Sequence, residues 1–185
     1  MEFTLKKYIT LSNIIFVLAI ALLLYKPSKV WLIRQVAFSP SIEKVEKSAR
    51  VFNYNWQLKG LNTNDINFTE FKGKVVFLNF WATWCPPCIA ELPSVQKFYN
   101  DYQDKVAFIF ITSEDSEAII KFFKENEYEF PVYQSNSILN ELPPVNSIPR
   151  TFVLDKEGNI RIDKSGAANW RSKSFLDFID EVLVD

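Results

Sequence analysis

The only two cysteines of this chain, Cys85 and Cys88, frame Pro86 and Pro87 directly after a seven-residue apolar run, residues 75–81. An unbroken apolar run of that length suits a strand buried on both faces. Two prolines suit the first turn of a helix, where missing N–H groups cost nothing. A strand that feeds straight into a helix begins a β-α-β unit, so the pattern points to an α/β fold with the cysteines at a helix N-terminus. Unpaired N–H groups and the helix dipole favour a thiolate there. Residues three apart on a helix also sit about 5–6 Å apart, within reach of a disulfide. The pair can therefore be a nucleophilic dithiol or a closed disulfide. Structural zinc would need four Cys or His ligands, and the chain has no histidine and no third cysteine. Covalent haem would need histidine at position 89, where Ile89 stands. A purely structural bridge across so short a loop would stabilise little. Redox chemistry is the reading that remains.

The rest of the chain fits the same class. Residues 56–68 alternate loosely around Asn62-Thr63-Asn64-Asp65, which predicts a β-hairpin. After the cysteines, Val95, Phe98, Tyr99 and Tyr102 recur at helical spacing, and residues 106–111 read as a second buried strand. Asp115 or Ser116 caps a helix to about Asn126 that turns Ile119, Phe122 and Phe123 inward. A short strand follows at residues 130–133. A hairpin then joins residues 151–154 and 160–162 through Asp155-Lys156-Glu157-Gly158-Asn159. The last helix carries Phe175, Phe178, Ile179 and Val182, with Ser174 and Asp177 as a candidate capping box. The order β-hairpin, β, α, β, α, β, β, α predicts a mixed central sheet with helices on both faces. Pro93 falls inside the first of these helices and should kink it.

Ahead of this domain lies another kind of segment. Residues 9–25 form a mostly apolar run after Lys6 and Lys7. Its length and flanks predict an uncleaved transmembrane anchor over residues 8–25, and the family resemblance given below implies that residues 1–7 are a cytoplasmic N-terminus. Basic residues on both sides (Lys6 and Lys7; Lys26, Lys29 and Arg34) leave orientation undecided by charge alone. Residues 26–50 read as a juxtamembrane segment and linker, and residues 51–185 as the folded domain. The 21 Lys and Arg nearly balance the 22 Asp and Glu with no basic stripe, which argues against a nucleic-acid partner.

The stretch from Val76 through Phe80, Trp81, Trp84, Cys85, Cys88 and Glu91 to Pro93 closely resembles the TlpA/ResA-like branch of the thioredoxin superfamily. Ser147-Ile148-Pro149-Arg150-Thr151 is similar to that family's cis-proline segment, and residues 166–170 also look familiar. The resemblance covers roughly residues 51–185. It implies a thioredoxin-like fold, no cofactor and no metal. It further implies an extracytoplasmic, periplasmic domain on a single-pass anchor in the lipid bilayer, with a membrane thiol–disulfide electron donor and disulfide-bearing client proteins as partners.

Roles follow for individual residues. Cys85, exposed at the helix start, is the better nucleophile, and Cys88, one turn further in, would resolve the mixed disulfide. Glu91 lies three residues beyond Cys88, and by spacing alone it is either a solvated helix glutamate or a proton acceptor for the inner thiol. The resemblance favours the second, since family members carry an acid there. Asn79 stands where many thioredoxins have a buried aspartate. With no histidine in the chain, proton handling falls to Glu91. Trp84 would form an apolar rim beside Cys85, and Pro86 and Pro87 would stiffen the loop. The resemblance makes the Ile148–Pro149 bond cis and places it against the dithiol, where backbone groups would hold a client peptide. Arg150 departs from the family's usual threonine; its cation would either depress the Cys85 pKa or point to solvent.

The leading expectation is a tethered protein-disulfide reductase, for example in cytochrome c maturation. A disulfide donor or isomerase of the same fold would differ in redox potential. A peroxidase would need one activated cysteine with Thr and Arg nearby. A peptide-binding adaptor would keep its activity with both cysteines replaced by serine.

Overall fold

The computed structural model describes residues 11–24, Val30, Ile33, 54–134 and 145–184. In the first helix, α1 (Leu11–Leu24), Leu11, Ile14, Ile15, Phe16, Val17, Leu18 and Ile20 are exposed. No helix among the described residues is long and apolar enough to cross a membrane. The predicted anchor begins and ends outside the described residues, and the linker lies outside them apart from Val30 and Ile33.

The predicted hairpin is present as β1 (Gln57–Gly60) and β2 (Ile66–Asn67), antiparallel with Gln57 opposite Asn67. Its turn residues tie the unit together. Asp65 Oδ1 accepts the Gly60 N–H at 2.9 Å. The Asn62 amide behaves like a strand residue, donating to the Phe130 carbonyl at 3.1 Å and accepting the Val132 N–H at 2.8 Å. A one-turn 3-10 helix, Phe68–Phe71, follows, closed by a reciprocal box of Asn67 and Glu70. Then come β3 (Val75–Phe80), α2 (Pro86–Tyr102), β4 (Val106–Ile111), α3 (Ser116–Asn126), β5 (Val132–Gln134), β6 (Arg150–Leu154), β7 (Ile160–Ser165) and α4 (Lys173–Val184).

Seven strands form one sheet in the order β2-β1-β5-β4-β3-β6-β7. The neighbours β3/β4 and β4/β5 are parallel, and all other pairs are antiparallel. Every residue of β3 is buried, as expected of a strand covered on both sides. Val75, Phe77 and Trp81 face one hydrophobic cluster, and Val76, Leu78 and Phe80 face the other. The first cluster takes Phe98 from α2, Ile119 and Phe123 from α3, and Phe175 and Ile179 from α4. Phe77 sits at its centre, with its ring 5.0 Å from Trp170 and 5.5 Å from Phe98.

Two expectations need correction. Among the described residues no α-helix contributes to the second cluster; Tyr54, Trp56 and the 3-10 residues Phe68 and Phe71 close that face instead. The physical reason is topological: β3, β4 and β5 lie side by side in chain order, so two right-handed crossovers put α2 and α3 on the same face. The predicted N-cap Ser174 also lies inside its helix rather than ahead of it. The helix α4 already includes Lys173, and its ammonium takes the Asp177 carboxylate at 2.6 Å. At Pro93 the ring removes one backbone hydrogen bond, yet α2 continues through it to Tyr102.

Candidate active site

The strand β3 delivers the chain into the short segment Trp81–Trp84, and α2 opens at Pro86 with Cys85 as its N-cap. Pro86 and Pro87 occupy the first two helical positions, where their missing N–H groups leave nothing unpaired. The Cys88 N–H instead points at Cys85 Sγ, 3.3 Å away. The two sulfurs are joined in a disulfide with Cα atoms 5.2 Å apart. Contrary to expectation, Cys85 is buried, at 3% exposure, and Cys88 is fully so. What covers Cys85 includes the backbone before Pro149: the Ile148 carbonyl oxygen lies 3.8 Å from Cys85 Sγ, and the Ile148–Pro149 peptide bond is cis. In the disulfide this is a contact, and in the dithiol the Cys85 S–H can donate to that carbonyl. Gly166, at φ +81°, donates its N–H to the Pro149 carbonyl at 2.9 Å and so ties the cis-proline turn to the end of β7. That positive φ is available to glycine without steric cost.

Beneath the disulfide lies a buried polar group. Glu91 is 1% exposed. Its Oε1 accepts from Asn79 Nδ2 at 3.0 Å; its Oε2 accepts from the Ala168 N–H at 3.1 Å and from Trp170 Nε1 at 3.0 Å. Asn79 Nδ2 also donates to Thr151 Oγ1 at 2.8 Å, across the β3/β6 pair in which the two residues are direct partners. Burial pushes the Glu91 carboxyl up to about 7; the donors Trp170, Asn79 and Ala168 and the field of Lys164 act against that rise and only partly offset it. A carboxyl that titrates near neutrality one helical turn beyond Cys88 has the properties of an acid–base group.

The other expected residues separate into two sets. Trp84 stands beside the disulfide with its ring 66% exposed, and Ile148 and Pro149 lie against Cys85. Arg150 does not join them. It faces the opposite side of the sheet, stacked 5.4 Å over Phe152, with its guanidinium paired to Asp163 Oδ1 at 2.5 Å and Oδ2 at 2.7 Å. Strand alternation explains this, because Arg150 and Phe152 share one face while Thr151 shares the other with Asn79. The cation is committed to Asp163.

Sequence reasoning missed three contributors. Trp170 and Ala168 reach Glu91 from more than seventy residues away, and no local pattern marks them. The segment before Cys85 is held by Glu114, whose carboxylate accepts the Thr83 N–H at 2.7 Å and the Thr83 hydroxyl at 2.6 Å. Asn79 carried the one available signal, a polar side chain at an inward position of a buried strand.

With this geometry in hand, comparison with known proteins is decisive. The Redoxin family pattern matches residues 44–178. The chain belongs to the Redoxin family. Among curated proteins, it is similar to the thiol-disulfide oxidoreductase ResA of Bacillus thuringiensis subsp. konkukian. The two are 34% identical over 109 residues, 57% of this chain and 63% of that protein. It is also similar to the sporulation thiol-disulfide oxidoreductase A of Bacillus subtilis, 30% identical over 143 residues, 74% of this chain and 86% of that protein. The match to the ResA protein thus spans less than two thirds of its length. The fold is shared with a thiol:disulfide interchange protein of the thioredoxin family from Chlorobium tepidum, at a TM-score of 0.63 and 23% identity, covering 75% of this chain and 99% of that one. The thioredoxin-like α/β fold of this Redoxin chain is therefore established.

Proposed function

We propose that the chain is a membrane-tethered thiol–disulfide oxidoreductase that reduces disulfides in extracytoplasmic client proteins, cytochrome c precursors being one such class. The observation that carries the reading is the Cys85–Cys88 pair at the start of α2, with the Cys88 N–H on Cys85 Sγ and the Ile148 carbonyl beside it. The names of the ResA and sporulation relatives support the reaction class.

In the reduced protein the Cys85 thiolate attacks one sulfur of the client disulfide and expels the other as a thiolate. Glu91 takes the proton of Cys88, whose thiolate then attacks Cys85 Sγ and releases the second client thiolate. The client gains two electrons, the protein closes its disulfide, and the two client thiolates take up protons from water. A membrane dithiol donor of the same chemistry reopens the bridge. Backbone groups at Ile148 and the exposed Trp84 ring form the platform on which an extended client segment lies. The tether rests on the apolar run of residues 9–25 and the outward apolar side chains of α1.

Titration of the full chain against a glutathione or dithiothreitol series, with free thiols trapped by a mass tag, tests the direction. A two-electron midpoint at or below about −220 mV supports a reductase, and one between about −180 and −120 mV makes the chain an oxidant or isomerase. Cys85→Ser abolishes client reduction on this reading; an adaptor would retain its binding.

A further inference from the structure

Every partner of the Glu91 carboxylate is a hydrogen-bond donor. That suits the ionised group. The neutral acid differs, because one oxygen then carries a proton that itself needs an acceptor. At Oε2 two fixed donors, the Ala168 N–H and the indole N–H of Trp170, require an oxygen that accepts in either state. The proton therefore resides on Oε1, where it meets the N–H of Asn79 head-on.

Of the three partners, only Asn79 can change character, since its amide offers a donor on one side and an acceptor on the other. Asn79 is fully buried, and its Oδ1 has no hydrogen-bond partner while its Nδ2 has two. The second partner, the Thr151 hydroxyl, accepts or donates equally well. The geometry points to Asn79 as a positioning residue whose side-chain amide turns over when Glu91 takes up its proton, donating to the carboxylate and accepting from the acid. After the turn, Oδ1 accepts from the Glu91 O–H and from the Thr151 O–H, and the unpartnered atom becomes Nδ2 instead. The exchange balances as Cys88–SH plus Glu91 carboxylate giving Cys88 thiolate plus Glu91 acid, with no other bond altered.

The surrounding charges leave the turn to Glu91. Cys85 and Cys88 lie on its own helix, and Lys164 of β7 is the cation whose field reaches it. Asn79 and Thr151 are the neutral groups from β3 and β6, Arg150 is held by Asp163 on the other face, and Arg171, next to Trp170, is bound by Asp101. A separation of twelve residues, 79 to 91, and a strand pairing, 79 with 151, thus place one amphoteric amide between an acid and a hydroxyl.

This inference rests on the reading of Glu91 as the proton handler. Its test is NMR on the oxidised full chain in detergent, with labelled asparagine side-chain amides and glutamate carboxyls. The Asn79 amide signals should move with the same midpoint as the Glu91 carboxyl. Glu91→Gln supplies the decisive comparison: the Ala168 and Trp170 donors hold the glutamine carbonyl at the Oε2 position, so its NH2 faces Asn79. Its Asn79 signals should therefore match those of the wild type at low pH and stay constant with pH. Asn79→Leu removes a donor from the carboxylate and an acceptor from the acid alike, so the Glu91 midpoint should move by less than about half a pH unit. Loss of a pure donor would raise it by about one unit or more. Asn79 signals that ignore the Glu91 titration, or that match the high-pH wild type in Glu91→Gln, overturn the turn. Client reduction in Glu91→Gln is the separate readout. If it falls while Asn79 stays fixed, the functional reading stands and the turn fails; if it is unchanged while Asn79 follows Glu91, the reverse holds.

Discussion

Glu91 couples the stability of the fold to pH in the direction opposite to an ordinary surface carboxylate. Its folded-state pKa, about 7, is raised above the usual 4.5 by burial, so the folded chain binds a proton that the unfolded chain releases. The corresponding stability is fully present below pH 4.5 and is lost as pH rises to about 7, a change of about 3 kcal/mol over that window. Urea titrations of the oxidised protein at pH 4.5 and 7.5 should show this loss, and Glu91→Gln should flatten it. Trp170→Phe should act with the same sign. It removes a donor from the carboxylate, raises the Glu91 pKa further, and costs about 1–3 kcal/mol above pH 7 but less in acid. At this scale the site was half legible. The cysteines announce themselves by spacing, and Glu91 and Pro149 stand out through the resemblance to the thioredoxin superfamily. Trp170, Ala168 and Thr151 do not, because each meets Glu91 or Asn79 only through the tertiary fold. The open choice at Arg150 has the same origin, since a residue beside Pro149 reaches the thiol or the far face according to strand parity, and here it pairs with Asp163 on the far face.

The start of α2 depends on an element that contributes no cysteine. Glu114, in the turn between β4 and α3, grips both the backbone and the hydroxyl of Thr83, two residues before Cys85. Glu114→Ala should lower stability by about 1–2 kcal/mol, read as a shift of the urea midpoint at unchanged slope. It should also loosen Trp84, which a fall in its fluorescence anisotropy would report. On α3, Asp115 accepts the Ala118 N–H at 2.9 Å, and Asp115→Ala should cost about 1 kcal/mol. This cap was readable because N-caps follow a local rule, and β3 was readable because a strand buried on both faces needs no alternation. The placing of Ser174 as a cap failed on the same kind of evidence. The helix begins one residue ahead of Ser174, and a motif of two residues does not record where the first turn starts.

For the whole molecule, the balance of helix and strand was foreseen, and among the described residues the domain's α-helices gather on one face. Helices α2 and α3 share one face because three parallel strands run in chain order, a fact set by pairing that no single segment contains, and α4 packs into the same cluster. Among the described residues both hydrophobic clusters draw on Tyr54 onward, and a fragment lacking residues 1–53 should fold and unfold in one transition. If the tether proposal is right, the full chain sediments with membranes and this fragment stays in the supernatant; equal partition of the two would remove the tether. The outer strands of the sheet carry a further consequence. One rim is β2, only two residues long; the other is β7, whose Arg161, Asp163 and Lys164 interrupt any apolar ribbon. Neither presents the long, flat edge that recruits a foreign strand. Crowded copies that meet rim to rim find little to extend, and the chain is thereby guarded against sheet-to-sheet aggregation.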